Sequence, residues 1–275
     1  MMENGLINPE NQRRRVVFVT GASSGLGKAT VSHFLSKGWS VVATARDPRN
    51  LPVGSASDNL VSLRLDLSDP DSIQSAVMQA EDRFGHIDVL INNAGSGLAG
   101  PLEAMDASML QKHFEINVIG AASVTKAVLP GMRYRRAGTI VNVTSVAGRL
   151  GLPFMAPYVA SKFALEGLTE SLRYELAPFG IKVRLVEPSG IRTRFEHEWV
   201  SDAPYDRQLA TVRGRMAAGM AKAALPEKVA NVVYRAAVSG GSTLRFPTRD
   251  ASVLLLMKSL LPDAFMQAFM RAQFL

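Results

Sequence analysis

The chain has 275 residues, of which 47% are hydrophobic, 20% charged and 7% aromatic; this is the composition of a globular protein with a buried core and excludes disorder throughout. It has no cysteine, which excludes disulfide staples, thiol nucleophiles and Cys-ligated zinc, and fits a reducing compartment. Lysine and arginine outnumber aspartate and glutamate 31 to 24, a net charge of +7. The basic clusters lie apart, at 13–15, 133–136, 192–194 and 207–215, whereas a nucleic-acid surface would gather them on one element. An anionic small ligand accounts for part of the excess.

The amino terminus, 1–15, is polar and lacks the apolar core of a secretory signal. Short β-branched runs at 16–20, 41–45, 61–65, 89–92, 139–144 and 182–187 read as buried strands. Between them the patterns at 25–37, 69–84, 108–134 and 156–179 predict helices, and Pro130 predicts that the third ends or kinks near it. A helix at 226–238 precedes a seventh short strand at 243–246. This alternation predicts an α/β fold: a doubly wound, Rossmann-type parallel sheet of about seven strands with helices on both faces. With no repeat or linker, 1–275 reads as one domain. Residues 195–225 break the alternation, mixing Phe195, Trp199, Tyr205, Met216 and Met220 with charges, and are expected to lie as a lid over the end of the sheet. A helical tail, 250–275, follows. No run of about 18 apolar residues is present; the nearest, 253–261, is broken by Lys258 and stopped by Pro262 and Asp263. A cytoplasmic protein without a transmembrane segment is expected.

The first strand runs into Thr20-Gly21-Ala22-Ser23-Ser24-Gly25-Leu26-Gly27 and then a helix. Glycines permit a tight turn and let a pyrophosphate approach the helix N-terminus, where free N–H groups and the dipole favour an anion. The second strand ends in Ala43-Thr44-Ala45-Arg46-Asp47. A dinucleotide fold reads the adenosine ribose here, with an acid for a 2′-hydroxyl or an arginine for a 2′-phosphate. Ala45 offers no carboxylate and Arg46 offers a charge-assisted donor, so these residues favour NADP(H).

Tyr158 and Lys162 stand four residues apart on one helical face. A free phenol titrates near about 10, too high for ready proton exchange at neutral pH. A cation about 4 Å away contributes about 4 kcal/mol at an effective dielectric of 20, roughly three pK units downward. Ser145 ends the fifth strand and Asn92-Asn93-Ala94-Gly95 the fourth, both at the carboxyl edge where open α/β sheets bind ligands.

In these features the sequence closely resembles the short-chain dehydrogenase/reductase family over about residues 14–195: Thr20 to Gly27, Asp66, Asn92 to Gly95, Asn117, Ser145, Tyr158 with Lys162, and Pro188-Ser189-Gly190-Ile191-Arg192-Thr193. The resemblance implies a catalytic set of Asn117, Ser145, Tyr158 and Lys162. Tyr158 would be the general acid/base and Ser145 would hydrogen-bond the substrate oxygen. Lys162 would lower the phenol pKa and hold the nicotinamide ribose, and Asn117 would steady a water-linked relay behind it. It further implies cofactor contacts from Gly21, Ser23, Ser24, Gly25, Leu26, Arg46, Asp66, Leu67, Asn93, Ala94, Gly95, Tyr158, Lys162, Ile191 and Thr193, with no metal. The family more often has Pro-Gly where this chain has Pro188-Ser189, a small change that Gly190 should accommodate. A homodimer or homotetramer is implied, pairing the helices 108–134 and 156–179 through small residues such as Gly120, Ala121, Ala160 and Gly167.

Leu98, Leu102, Leu150, Leu152, Phe154, Met155, Phe195, Trp199, Met216 and Met220 fall in the segments around the carboxyl edge, an apolar wall suited to a lipophilic ketone or alcohol. The contexts of Ala43 to Asp47 and of Glu187-Pro188 resemble hydroxysteroid and retinol dehydrogenases within the family. Two alternatives stay open: a catalytically idle NADP(H) sensor or scaffold, and a protein acting at a membrane surface through the Phe265, Met266, Phe269, Met270 pattern of its tail.

Overall fold

The computed structural model describes residues 14–51 and 58–275; the polar segment 1–13, with Arg13 of the first basic cluster, lies outside the described residues. Seven parallel strands form the central sheet: β1 Val16–Val19, β2 Ser40–Ala45, β3 Leu60–Arg64, β4 Val89–Asn92, β6 Gly138–Val143, β7 Ile181–Glu187 and β9 Arg245–Pro247. Their order is β3-β2-β1-β4-β6-β7-β9. Two three-residue strands, β5 Gly97–Ala99 and β8 His197–Trp199, pair in parallel outside it. The helices are α1 Gly25–Ser36, α2 Pro70–Phe84, α3 Ala107–Phe114, α4 Ala121–Arg135, α5 Ala156–Leu176, α6 Asp206–Lys222, α7 Pro226–Val238, α8 Arg249–Leu260 and α9 Asp263–Phe274.

The apolar runs are unbroken because helices cover both faces. Val16 and Phe18, with Val42, Leu90 and Ile140, pack against Val77 of α2 and Val128 and Met132 of α4. The alternate residues Val17 and Val19, with Val41, Ile91 and Val141, pack against Val31 and Phe34 of α1 and Val233 of α7. Each fully buried side chain of this size stabilises the fold by about 1.5–3 kcal/mol. Because β1 is followed outward by β2 and β3 while β4 turns the other way, the order switches between β1 and β4. The turns after β1, β4 and β6 therefore open on a crevice at the carboxyl edge.

Pro130 does not end its helix: α4 runs through it to Arg135. Proline deprives the turn before it of one hydrogen bond, but Val128 and Met132 on either side are buried in the core, and that packing offsets the loss. The interruption falls earlier, in a π-helical turn, Glu115–Gly120, between α3 and α4. The segment 195–225 contains β8 and α6, and the helical tail consists of two helices, α8 and α9. Leu255 of α8 packs on Val146, while Met266 and Met270 of α9 pack on Leu150. The last strand begins two residues late, since this edge pairs only Leu185 to Glu187 of β7 with Arg245 to Pro247. Among the described residues no helix is long and apolar enough to cross a membrane.

Candidate active site

The turn after β1 is held from below by β4. Thr20 Oγ1 accepts from the backbone N–H groups of Asn93 (3.0 Å) and Ala94 (3.1 Å), and Asn93 Nδ2 donates to the carbonyls of Thr20 (2.9 Å) and Gly21 (3.2 Å). Two glycines are required by geometry. Gly21 has φ +69° and a Cβ there would sit 2.8 Å from Ala94 Cα; Gly25 has φ +51° and a Cβ would sit 3.0 Å from Thr193. The turn thus gathers Ala94 and Thr193 around the start of α1, whose N-cap Ser24 makes no side-chain capping bond and whose first turn carries no acid. A cradle with no room for Cβ atoms, at an uncapped helix N-terminus, fits a dinucleotide pyrophosphate.

Beside it, Ser23, Ala45, Arg46, Asp47 and Asn50 line one cleft. Arg49 holds the Asp47 carboxylate, donating Nε at 2.9 Å and Nη2 at 2.9 Å, and pulls its pKa below the usual carboxylate range. The acid next to Arg46 is therefore already paired. Across from them Asp66 resists the upward push of burial: hydrogen bonds from Ser68 N (3.0 Å) and Oγ (2.8 Å), with the charges of Arg46 and Arg64, bring its pKa below the ordinary value. Leu67, next to it, is buried.

Ser145 leaves β6 in an extended conformation; its Oγ accepts from Ala147 N at 3.1 Å and donates to Pro188 O at 3.4 Å. Tyr158 lies in the first turn of α5, and Lys162, one turn on, has its Nζ 5.7 Å from the Tyr158 ring centroid and donating to Val143 O at 3.3 Å. Asn117 is fixed by the π-helical turn. Its Oδ1 accepts from Ser96 N at 2.8 Å and its Nδ2 donates to Ser96 O at 3.0 Å and Ser161 Oγ at 3.1 Å. The four residues expected to carry the chemistry do come together at one edge, with Gly95 abutting both Asn117 and Lys162.

The electrostatics correct one expectation. Burial pushes the Tyr158 hydroxyl up to about 12, opposed by hydrogen bonding with Ser145; the three-unit fall argued from a nearby cation is absent. The reason is that desolvation of the phenol itself outweighs any stabilisation of its anion; desolvation likewise lowers Lys162 to about 8, partly offset by Glu166. In this structure the phenol is an acid held protonated.

Several neighbours went unread in the sequence. His113, four residues before Asn117, is buried; its Nδ1 meets Ser96 Oγ at 3.1 Å and its Nε2 meets Ser161 Oγ at 3.2 Å. Burial, Lys162 and His197 lower its pKa to about 4, so it is neutral. Glu166, one turn past Lys162, accepts from Thr144 Oγ1 at 2.5 Å and pairs with Arg245, which also bonds Glu187 at 2.7 Å. The helical spacings 113/117 and 162/166 were the available signal.

The family profile described as short chain dehydrogenase matches residues 15–204. The uncharacterized oxidoreductase YusZ of Bacillus subtilis is 35% identical over 266 residues, covering 90% of this chain and 94% of that one. Human retinol dehydrogenase 8 is 41% identical over 191 residues, covering 66% and 60%. Two solved structures superpose closely. A short-chain dehydrogenase/reductase from Burkholderia phymatum in complex with NAD has TM-score 0.78 and 27% identity over 90% of this chain and 95% of that one. A short-chain dehydrogenase from Burkholderia cenocepacia in complex with NADP has TM-score 0.73 and 26% identity over 96% and 98%. On sequence and fold together, the chain belongs to the short-chain dehydrogenase family of oxidoreductases.

Proposed function

We propose that the protein is an NADP(H)-dependent oxidoreductase that interconverts a lipophilic ketone and its alcohol by hydride transfer, with Tyr158 as general acid/base. The observation that carries this reading is the convergence of Asn117, Ser145, Tyr158 and Lys162 beside the glycine turn. Gly21, Ser23, Ser24, Gly25 and Leu26 would hold the pyrophosphate, Asp66 and Leu67 would stand at the adenosine end, and Asn93, Ala94, Gly95, Ile191 and Thr193 would border the nicotinamide half. The cleft of Ser23, Ala45 and Arg46, with Asp47 already engaged by Arg49, supports a 2′-phosphate there. The solved relatives themselves include one with NAD and one with NADP, so the preference rests on these residues alone.

A bound reduced nicotinamide supplies the hydride for the carbonyl carbon. Tyr158 gives its hydroxyl proton to the carbonyl oxygen, completing addition of one hydride and one proton across the C=O bond. Ser145 Oγ turns from Pro188 O to donate to the same oxygen. Lys162 and the Asn117 network replace the proton that Tyr158 gives up. A phenol held protonated near neutral pH suits the reductive direction.

Phe195, Trp199 and Phe154 make the mouth of the site apolar, the Phe195 ring lying 6.4 Å from that of Tyr158, and residues 195–225 serve as the lid. The similarity to retinol dehydrogenase 8 agrees with a lipophilic substrate. Self-association would use α4 and α5; on α5 Ala160, Phe163 and Gly167 are exposed, whereas Gly120 and Ala121, expected to share in the interface, are buried. The test is NADPH oxidation over ketosteroids, retinal, aliphatic aldehydes and diketones. Turnover of an apolar carbonyl is expected; tight NADPH binding with no turnover on the panel would favour an idle sensor.

A further inference from the structure

His197 belongs to the lid, yet it faces the reacting group. The pairing of β8 with β5 sets it directly opposite Gly97. A Cβ at Gly97 would fall 2.5 Å from His197 Cδ2, so only glycine leaves space for the imidazole. The ring meets that of Tyr158 edge-on, with centroids 5.3 Å apart at 77°, and is flanked by Phe195 at 5.4 Å and Trp199 at 6.1 Å. Within this aromatic wall its Nε2 is buried and has no hydrogen-bond partner among the described residues. A buried polar atom left unpaired costs free energy that a ligand group of matching chemistry recovers.

Burial lowers the pKa of His197, so the imidazole is neutral near pH 7 and offers one donor or one acceptor. With the rings of Phe195 and Trp199 on either side of it, a carboxylate brought to this nitrogen would be desolvated without a full counter-charge, so the surroundings favour an uncharged oxygen.

We propose that His197 is a specificity-determining residue whose Nε2 hydrogen-bonds a second, uncharged oxygen of the substrate, a hydroxyl or keto group on the carbons adjoining the one that reacts. The proposal rests on Tyr158 marking the reacting centre, as argued above. It narrows the substrate class from lipophilic ketones in general to hydroxyketones, diketones and the corresponding diols. The apolar rings around His197 make the preference sharp, because a substrate lacking the second oxygen leaves Nε2 buried and unpaired in the complex.

The test compares cyclic hydroxyketones and diketones with ring-matched simple ketones, taking the ratio of kcat/KM within each protein so that any loss of folded enzyme cancels. In the wild type the ratio should favour the difunctional substrate by about tenfold or more. His197→Phe keeps the ring packing but removes the nitrogen, and the ratio should fall to near one. Gly97→Ala pushes an unaltered imidazole aside and should lower the ratio as well, whereas His197→Gln, which keeps a donor and an acceptor, should recover part of it. A wild-type ratio near one, or a ratio that survives both His197→Phe and Gly97→Ala, overturns the assignment and leaves Nε2 to a water alone. If no carbonyl in the pair is turned over, the proposed reaction is what fails. The role of His197 is then decided by the affinities of the matched diol and simple alcohol for the NADP-loaded protein, read from quenching of the neighbouring Trp199. Equal affinities overturn it; tighter binding of the diol, lost in His197→Phe, supports it.

Discussion

The two sides of the crevice are built differently. On the cofactor side the turn after β1 is fixed by bonds to backbone groups: Thr20 Oγ1 to Asn93 and Ala94, Asn93 Nδ2 to Thr20 and Gly21. On the substrate side the wall is assembled from distant segments. β5 meets β8 across a hundred residues, and α8 and α9 fold back on Val146 and Leu150. That side also leaves large apolar groups uncovered, such as Leu260 at 72% and Phe265 at 65% exposure. A site held by backbone geometry tolerates few residue types and reads as a motif. One held by side-chain packing tolerates many and fits the substrate.

Apart from loss of the Tyr158 hydroxyl, the largest effect should come from the residue both sides share. Lys162→Met removes the buried cation, and turnover should fall about 10²-fold or more, with NADPH affinity weakened as well. The pH profile sharpens the assignment. Lys162 titrates near about 8 in this structure, so the ammonium is present below that pH and is lost as pH rises through it. Reductive kcat/KM should hold on the acid side and decline above about 8 in the wild type, and that limb should vanish in Lys162→Met. An unchanged profile would reduce Lys162 to a structural helix residue.

Next in size is the choice of cofactor, a test confined to the cofactor side. One charge-assisted hydrogen bond from Arg46 contributes about 1.5–3 kcal/mol, or roughly 10- to 150-fold in affinity. Wild-type kcat/KM should favour NADPH over NADH by that order. Arg46→Ala should lower the NADPH value while leaving NADH nearly untouched, and Ala45→Asp should reverse the preference. Equal use of both cofactors by the wild type would make Arg46 a plain surface residue.

A smaller effect should come from Glu166→Gln. Glu166 holds the Lys162 pKa up against desolvation, so neutralising it should let that pKa fall further and shift the alkaline limb to lower pH. A limb that stays in place would show that Glu166 serves only the Thr144 and Arg245 contacts. Self-association bears on the substrate side, since Lys258 of α8 lies 5.9 Å from the Phe163 ring of α5. Sedimentation at micromolar concentration should give at least a dimer mass; a mass near that of one chain, 29.7 kDa, would mean that the tail covers the surface.

How far the sequence could be read follows the same division. The seven sheet strands and the glycine turn were legible, because parallel strands buried on two faces give continuous apolar runs and because the turn needs glycine at fixed places. That Ser145 and Tyr158 with Lys162 lie at one edge was legible from strand ends and helical spacing, whereas Asn117 came from the family resemblance alone. The pairing of Gly97 with His197 was not, since three-residue strands carry no periodicity. That α4 continues past Pro130 was not legible, because local propensity yields there to the burial of Val128 and Met132. The direction of the Tyr158 pKa was missed for a related reason: spacing gives the distance of a charge but not the depth at which both groups lie.

The central claim is that Tyr158 transfers the proton, and Tyr158→Phe tests it most directly, with turnover and NADPH affinity measured on the same preparation. The ring remains and only the hydroxyl is lost. The account predicts a fall in kcat of about 10²–10⁴-fold with NADPH affinity within a few-fold of wild type. Retention of more than about a tenth of wild-type kcat, set against that expected loss, would contradict it.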